Sequence, residues 1–494
     1  MKYKLISAIT LAVAFVMIVL ICYLTKEPED RSVRYHQHLE ATVPASCGHT
    51  DGTFCTHLPL IEIYTPDGID IPGKAIVSEE GVVIGFEQTA DGRDEIVARI
   101  EVTGKDGVNH HVDDAPELIS DAIVHVRGNS SRTFDKLGYS IDLIKEDGTD
   151  NDVEFMGMDA HSEWALHGPY LDKSLIRTYM WYNIAGEIMD YSPNVRFCEL
   201  MINGEYMGVY VAMEKITAGE DGARLNLYKK AKDKEFHGYM IKLDSPSDIP
   251  YKNINNFSTY TYMAEKTISV VYPKGKNLTP ELADEIARDF SIFEKSLYSY
   301  DYDNDVNGYK KYIDVDSFVD YFLINEITVN YDAGGRSTFM YRDINNLYKM
   351  CIWDFNACCG NYIRDVSSKT FFLTERTWFS KLVTDEEFTD KVLERYSHLR
   401  QNYFSDEYLM NYIDETVNYL GPAIDRNFEK WGYTFDEGFH MLYPRERDLH
   451  SYDEAIEQYK SFIIERAAWL DENIETLSSY SAESAVKQYT EISQ

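Results

Sequence analysis

Apolar and polar positions follow different rhythms along this chain, and the changes of rhythm mark its parts. Leu5 to Thr25 is almost wholly apolar, with Lys2 and Lys4 before it. About 20 apolar residues span a bilayer as a helix, and basic residues on the short side predict an N-in, C-out orientation. Cys22 follows Ile21 where a lipoprotein site wants a small residue, and no small-residue cleavage site follows closely. Residues 1–26 are therefore expected to be an uncleaved anchor that places the rest outside the cytoplasm, or a leader if cut. Residues 27–57 are polar and aperiodic and read as a stalk. From Leu58, alternating runs (LPLIEIYT, KAIVSEE, EIVARIEVTG) separated by Asp-Gly and Pro-Gly predict a small β unit over 58–120.

The main domain is expected over 121–480, with a tail at 481–494. Strands are predicted at Ala122–Arg127 and Tyr139–Ile144. Val195–Ile202 and Tyr206–Met213 form a hairpin about Asn203-Gly204. A helix with an Asp172 cap carries Leu175, Ile176, Tyr179, Met180, Ile184 and Ile188 on one stripe, with Arg177 and Glu187 at its edge. Residues 216–275 are mixed, with a strand at Tyr239–Leu243. Pro280–Leu297 is helical, and Trp378 to Leu477 is mainly helical and acidic. The fold class is α+β, β-rich first and helical after.

The chemistry concentrates between Asn325 and Asn361. Val315, Phe318, Val319, Phe322, Leu323 and Ile327 predict a helix, and Glu326 and Asn330 lie on or beside its apolar stripe, where an unpaired polar group is costly. Asp332 follows that helix. Asp354 follows the second of two strand-like runs, STFMYRD and LYKMCIWDF, joined at Asn345-Asn346. Each aspartate alone is explained by a turn cap or a buried pair with Arg336 or Arg342. Both together, with Asn330, Asn356 and Asn361 nearby, point to a site. Upstream, Arg127 opens onto Gly128-Asn129-Ser130-Ser131-Arg132, with Lys136 just before the next strand. This is either a loop that covers phosphates or an ordinary hairpin.

The net charge of -35, from 83 acidic and 48 basic residues, excludes a nucleic-acid partner and requires any phosphate site to be locally basic. With 14% aromatic residues the chain is not a disordered one. Cys47 and Cys55 flank a short loop and are placed for a disulfide outside the cell. Cys358-Cys359 adjoins the central stretch. No pair of CxxC spacings exists, so a structural zinc site is not expected.

Five stretches, VRGNSSRTFDKLGYSIDL, DKSLIRTYMWYNIAGEI, FCELMINGEYMGVYVAMEKI, NEITVNYD and IWDFNACCGN, occur in the order found in the spore coat protein H (CotH) kinase family. The resemblance runs over roughly residues 58–475. It implies an atypical protein-kinase-like fold, a β-rich lobe, a hinge and a helical lobe, with ATP between them. Some members of that family phosphorylate secreted or spore-coat proteins, and other relatives are fungal surface invasins. Carried over, Asp354 resembles the metal-binding aspartate, with Asn356 beside it, and Asp332 the catalytic-loop aspartate at the acceptor hydroxyl. Arg127, Asn129 and Ser130 become phosphate contacts, Lys136 a phosphate-binding cation, and Glu214-Lys215 a hinge that reads adenine. Arg177, Glu187, Glu326 and Asn330 support these groups. Ser337 stands where ordinary kinases carry a second metal-binding Asn, and no GxGxxG loop is present. The implied cofactors are ATP and Mg²⁺ (or Mn²⁺ or Ca²⁺), and the implied partner is a secreted or surface protein with Ser or Thr acceptors. The alternatives are a catalytically idle surface or cell-wall binding protein, and a glycoside hydrolase built on paired carboxylates.

Overall fold

A computed structural model describes residues 34–44, 47, 54–219, 224, 225, 227, 238–257, 266–342, 347–484 and 486. The expected anchor, Leu5–Thr25, and the Asn345-Asn346 joint lie outside the described residues. Among the described residues no helix is long and apolar enough to cross a membrane.

Alternation builds a closed seven-stranded barrel. Its strands are β1 (Leu60–Tyr64), β2 (Ile96–Thr103), β3 (Leu118–Arg127), β4 (Gly138–Ile144), β5 (Glu163–His167), β6 (Val195–Ile202) and β7 (Glu205–Glu214). The spatial order is β1-β6-β7-β5-β4-β3-β2, and β2 returns to β1. Ile96, Ala98, Ile100 and Val102 of β2 and Ala122, Val124 and Val126 of β3 point into one core, as the period of two demands. The β6–β7 hairpin turns at Asn203 and Gly204, both at positive φ (52° and 79°), as the Asn-Gly pair predicts.

Two expectations are corrected here. β1 pairs in parallel with β6, Leu60 opposite Glu199, and in antiparallel fashion with β2. Residues 58–120 therefore close the barrel and are not a separate unit; the boundary expected at 121 falls inside β3. Part of the expected stalk is also docked. Gln37 is buried, accepting from the Phe197 N–H at 2.7 Å and donating to the Phe197 carbonyl at 3.2 Å.

A second, five-stranded sheet comprises β8 (Tyr239–Asp244), β9 (Asn253–Ile254), β10 (Thr267–Tyr272), β11 (Thr338–Arg342) and β12 (Tyr348–Cys351), in the order β9-β10-β8-β11-β12. It packs on a large helical core that includes α1 (Arg177–Ile188), α2 (Pro280–Leu297), α3 (Val315–Thr328), α4 (Glu386–Arg400), α5 (Asp406–Leu420), α6 (Pro422–Trp431) and α7 (Tyr452–Asn473). α2 starts at a Thr279 cap with proline in its first turn, and α3 starts at an Asp314 cap. α3 is buried from Ser317 to Thr328, so its polar Asp320, Asn325 and Glu326 are buried with its apolar stripe. The class is α+β.

Candidate functional site

A cleft of about 620 Å³ lies where the ends of β3 and β5 face the ends of β8 and β12. Chain geometry brings its residues together. Arg127 is the last residue of β3, and Gly128 follows at φ 109°, where a side chain would run into the Ser131 hydroxyl. This lets Asn129 and Ser130 fold over the cleft, which both line. The Arg127 guanidinium stands 5.3 Å from the centre of the Trp353 ring.

Opposite, Asp332 sits in the turn after α3, whose end residue Val329 is left-handed at φ 45°. The Asp332 carbonyl accepts the N–H groups of Gly335 (3.0 Å) and Arg336 (2.6 Å), which fixes the turn. Ser337 and Asp354, φ 45° and 63°, are both held left-handed, a strain that clusters at sites where side chains must be aimed. Asp354 donates its N–H to the Tyr182 hydroxyl at 3.0 Å, and Ser337 reaches its carboxylate at 3.5 Å.

The electrostatics follow from crowding of acids. Burial, then the neighbouring Asp332 charge, pushes the Asp354 carboxyl up to about 6, although Arg127 opposes the shift. Burial likewise raises Asp332, with Arg336 pulling it down and Asp244 pushing it up. Asp244, at the end of β8, accepts from Lys242 Nζ at 3.2 Å, and both line the cleft. His167 also lines it; burial lowers its imidazole to about 4, so the ring is neutral at pH 7.

Two buried polar atoms of this lining have no hydrogen-bond partner among the described residues: Asn356 Oδ1 and His167 Nε2. Orphans of this kind are rare in folded interiors and call for a partner, whether an ordered water, an ion or a ligand. The Asn356 amide oxygen and the carboxylates of Asp332 and Asp354 line the same cleft and are hard oxygen donors of the kind that Mg²⁺, Mn²⁺ or Ca²⁺ takes. Among the described residues the cleft acids form no group of three within 4.8 Å.

The sequence singled out Arg127, Asn129, Ser130, Asp332, Ser337, Asp354 and Asn356, and these line one cleft. The others are placed differently. Lys136 is buried outside it, donating to Asn427 Oδ1 of α6 at 2.6 Å, because that amide also holds the Val209 N–H of β7. Glu214 turns away to accept from the Asn194 N–H at 2.9 Å, and Lys215 pairs with Asp142, so neither lines the cleft as an adenine hinge. Glu187 accepts from Tyr403 at 3.1 Å, outside the cleft. Arg177 is fully buried and pairs with Asp172, whose other oxygen accepts the Arg177 N–H at 3.0 Å; Asp172 lines the cleft, so Arg177 acts through it. Glu326 is fully buried with Arg466 at 2.6 Å and accepts the N–H groups of Phe372 and Leu373. Asn330 is buried under the turn, bonded to Asn325 Oδ1 at 3.2 Å. Cys358 and Cys359 are buried in the helical core.

Sequence reasoning missed Lys242 and Asp244. Their signal was a strand, YMIKLD, running straight into Ser-Pro, an acid at a strand end like Asp354.

The CotH kinase protein family pattern matches residues 124–470, most of the chain and all of the cleft. The chain belongs to that family. It is also similar to the inner spore coat protein H of Bacillus subtilis (strain 168), 21% identical over 366 residues that cover 72% of this chain and 88% of that protein. The family match begins inside β3, so β1 and β2, which close the barrel, precede it.

Proposed function

We propose that this CotH-family chain is an atypical protein kinase that moves the γ-phosphate of ATP to Ser or Thr of secreted or surface proteins. On this reading the barrel and the helical core act as two kinase-like lobes about the cleft. The observation that carries it is the convergence of Asp332 and Asp354 with Arg127, Lys242 and Arg336 in one cleft that also holds the orphaned Asn356 oxygen. Phosphoryl transfer needs little covalent help; it needs positioning and charge compensation.

In this scheme Arg127 and the Asn129-Ser130 loop hold phosphate oxygens, and Lys242 and Arg336 add local positive charge to an acidic protein. Asp354 and Asn356 would hold the divalent ion, which supplies charge neutralisation on the phosphates. Asp332 accepts the acceptor's hydroxyl proton. The hydroxyl oxygen forms its bond to the γ-phosphorus while the bridging P–O bond breaks, and ADP leaves with that electron pair. The raised Asp332 suits a proton acceptor better than an ordinary aspartate does. The apolar Leu5–Thr25 segment is read as a membrane anchor that puts this cleft outside the cytoplasm.

Ser337 supports a second reading, an idle surface-binding protein, because its hydroxyl is a poorer metal ligand than an Asn oxygen. Titration of ATP with Mg²⁺ into the full chain tests the first reading. Saturable binding that Asp354→Asn weakens supports it, and an absence of binding with Mg²⁺, Mn²⁺ and Ca²⁺ overturns it.

A further inference from the structure

Among the described residues, one cluster outside the cleft has the make-up of a metal site. Cys47, Cys55 and His111 each offer a ligand atom, and those atoms lie within 4.8 Å of one another. None of the three lines the cleft. The register explains their meeting. Thr56 and His110 form an isolated antiparallel bridge with both hydrogen bonds made, at 3.0 Å and 2.7 Å. In an antiparallel pair that bridge sets Cys55 opposite His111. Cys47 Sγ comes to 2.8 Å from Cys55 Sγ, so the two sulfurs open by about 1 Å to sit on one tetrahedral ion at the usual thiolate distance.

The second observation is on the histidine. Asp114 Oδ2 accepts the His111 N–H at 2.8 Å and lies 3.2 Å from its Nδ1. A carboxylate on Nδ1 fixes the tautomer and leaves Nε2 as the coordinating atom, the arrangement that metal-ligating histidines adopt. A disulfide between Cys47 and Cys55 needs no imidazole and no such carboxylate.

We infer that Cys47, Cys55 and His111 bind one zinc-class divalent ion, with Asp114 positioning the imidazole. Two thiolates and an imidazole are a borderline-soft donor set, which favours Zn²⁺ over the oxygen-seeking ions of the cleft. The fourth position goes to water or an added ligand. The ion clips the segment before β1 to the loop between β2 and β3, which also holds the chain at Thr42, whose N–H donates to Asp106 at 2.8 Å. A search for paired CxxC spacings misses the site because the third ligand arrives 56 positions after Cys55, through the bridge.

The test is metal content of the full chain purified with a thiol reductant, followed by replacement with Co²⁺ as the optical probe. One equivalent of Zn²⁺ and a thiolate-to-Co²⁺ charge-transfer band are expected. Cys47→Ser, Cys55→Ser and His111→Ala should each abolish the band. Asp114→Asn, which keeps every ligand, should weaken Zn²⁺ binding about 10- to 100-fold. No thiolate band in the reduced chain, with Cys47 and Cys55 recovered as a disulfide without reductant, would overturn the inference. A band unchanged by His111→Ala would overturn it equally.

Discussion

The backbone N–H of Asp354 donates to the hydroxyl of Tyr182, 3.0 Å away on α1. Through this bond the strand end that carries the proposed metal carboxylate is tied to the helix that begins beside Asp172. Tyr182 is itself buried against Trp353 and Phe355. Its ring packs the turn while its oxygen accepts the N–H of a left-handed residue.

Tyr182→Phe keeps the packing and removes only the acceptor. A buried N–H left unsatisfied costs about 1–3 kcal/mol. The unfolding free energy from denaturant titration should fall by that amount, and ATP binding should weaken more than an equally destabilising core change elsewhere would cause.

Asp354 titrates at about 6 in the folded chain against an ordinary 3.8, chiefly because it is desolvated. A raised carboxyl favours the protonated fold, so this contribution is complete below about pH 4 and is lost as pH rises through 6. The ion-free protein should therefore lose roughly 2–3 kcal/mol from this group between pH 4 and pH 7. Asp354→Asn should flatten the pH dependence of urea midpoints over that window. Adding Mg²⁺ at pH 7.5 should raise the wild-type midpoint and not that of the variant.

Glu326 and Arg466 are both fully buried and bonded at 2.6 Å, and Arg466 also donates to the carbonyls of Ser368 and Thr370. They fasten α3 to α7 and to the segment around Phe372. Glu326→Ala strands the guanidinium and should cost about 3–5 kcal/mol. Thermal unfolding of this variant and of a Glu326→Ala/Arg466→Met double variant measures it; the double variant should recover only the part due to the stranded charge, because the Phe372 and Leu373 N–H groups stay without their acceptor.

Lys136 separates a sequence expectation from its place in the fold. Buried against Asn427 and the Tyr210 ring, it should matter for stability rather than for phosphate. Lys136→Met should leave the ATP dissociation constant within about twofold, while Lys242→Met weakens it by at least tenfold, on the order of 1.4 kcal/mol. Calorimetric titration of both variants decides the point.

What the chain reveals on its own is what short-range physics controls. α2 and the Asn203-Gly204 hairpin were readable because caps, turn residues and side-chain period act over a few residues. Asp332 and Asp354 were readable because an acid is conspicuous at the edge of an apolar run. Barrel closure was not, since the parallel pairing of Leu60 with Glu199 leaves no local trace. For the same reason Lys136 and Glu214 looked like site residues: each adjoins the right strand, but its partner, Asn427 or Asn194, is chosen by tertiary packing. Lys242 and Asp244 were hidden in a loop-rich stretch whose role depends on β11 pairing beside it.

The most direct measurement is transfer of label from γ-labelled ATP to a Ser/Thr-rich protein acceptor by the full chain with Mg²⁺, run beside ATP binding for each variant. Transfer should occur in the wild type. Asp332→Asn should lower its rate about 10²- to 10⁴-fold while ATP still binds, and Asp354→Asn should weaken both. Transfer that survives in both variants, or none by a folded wild type that binds ATP with Mg²⁺, Mn²⁺ or Ca²⁺, would contradict a kinase built on these two aspartates.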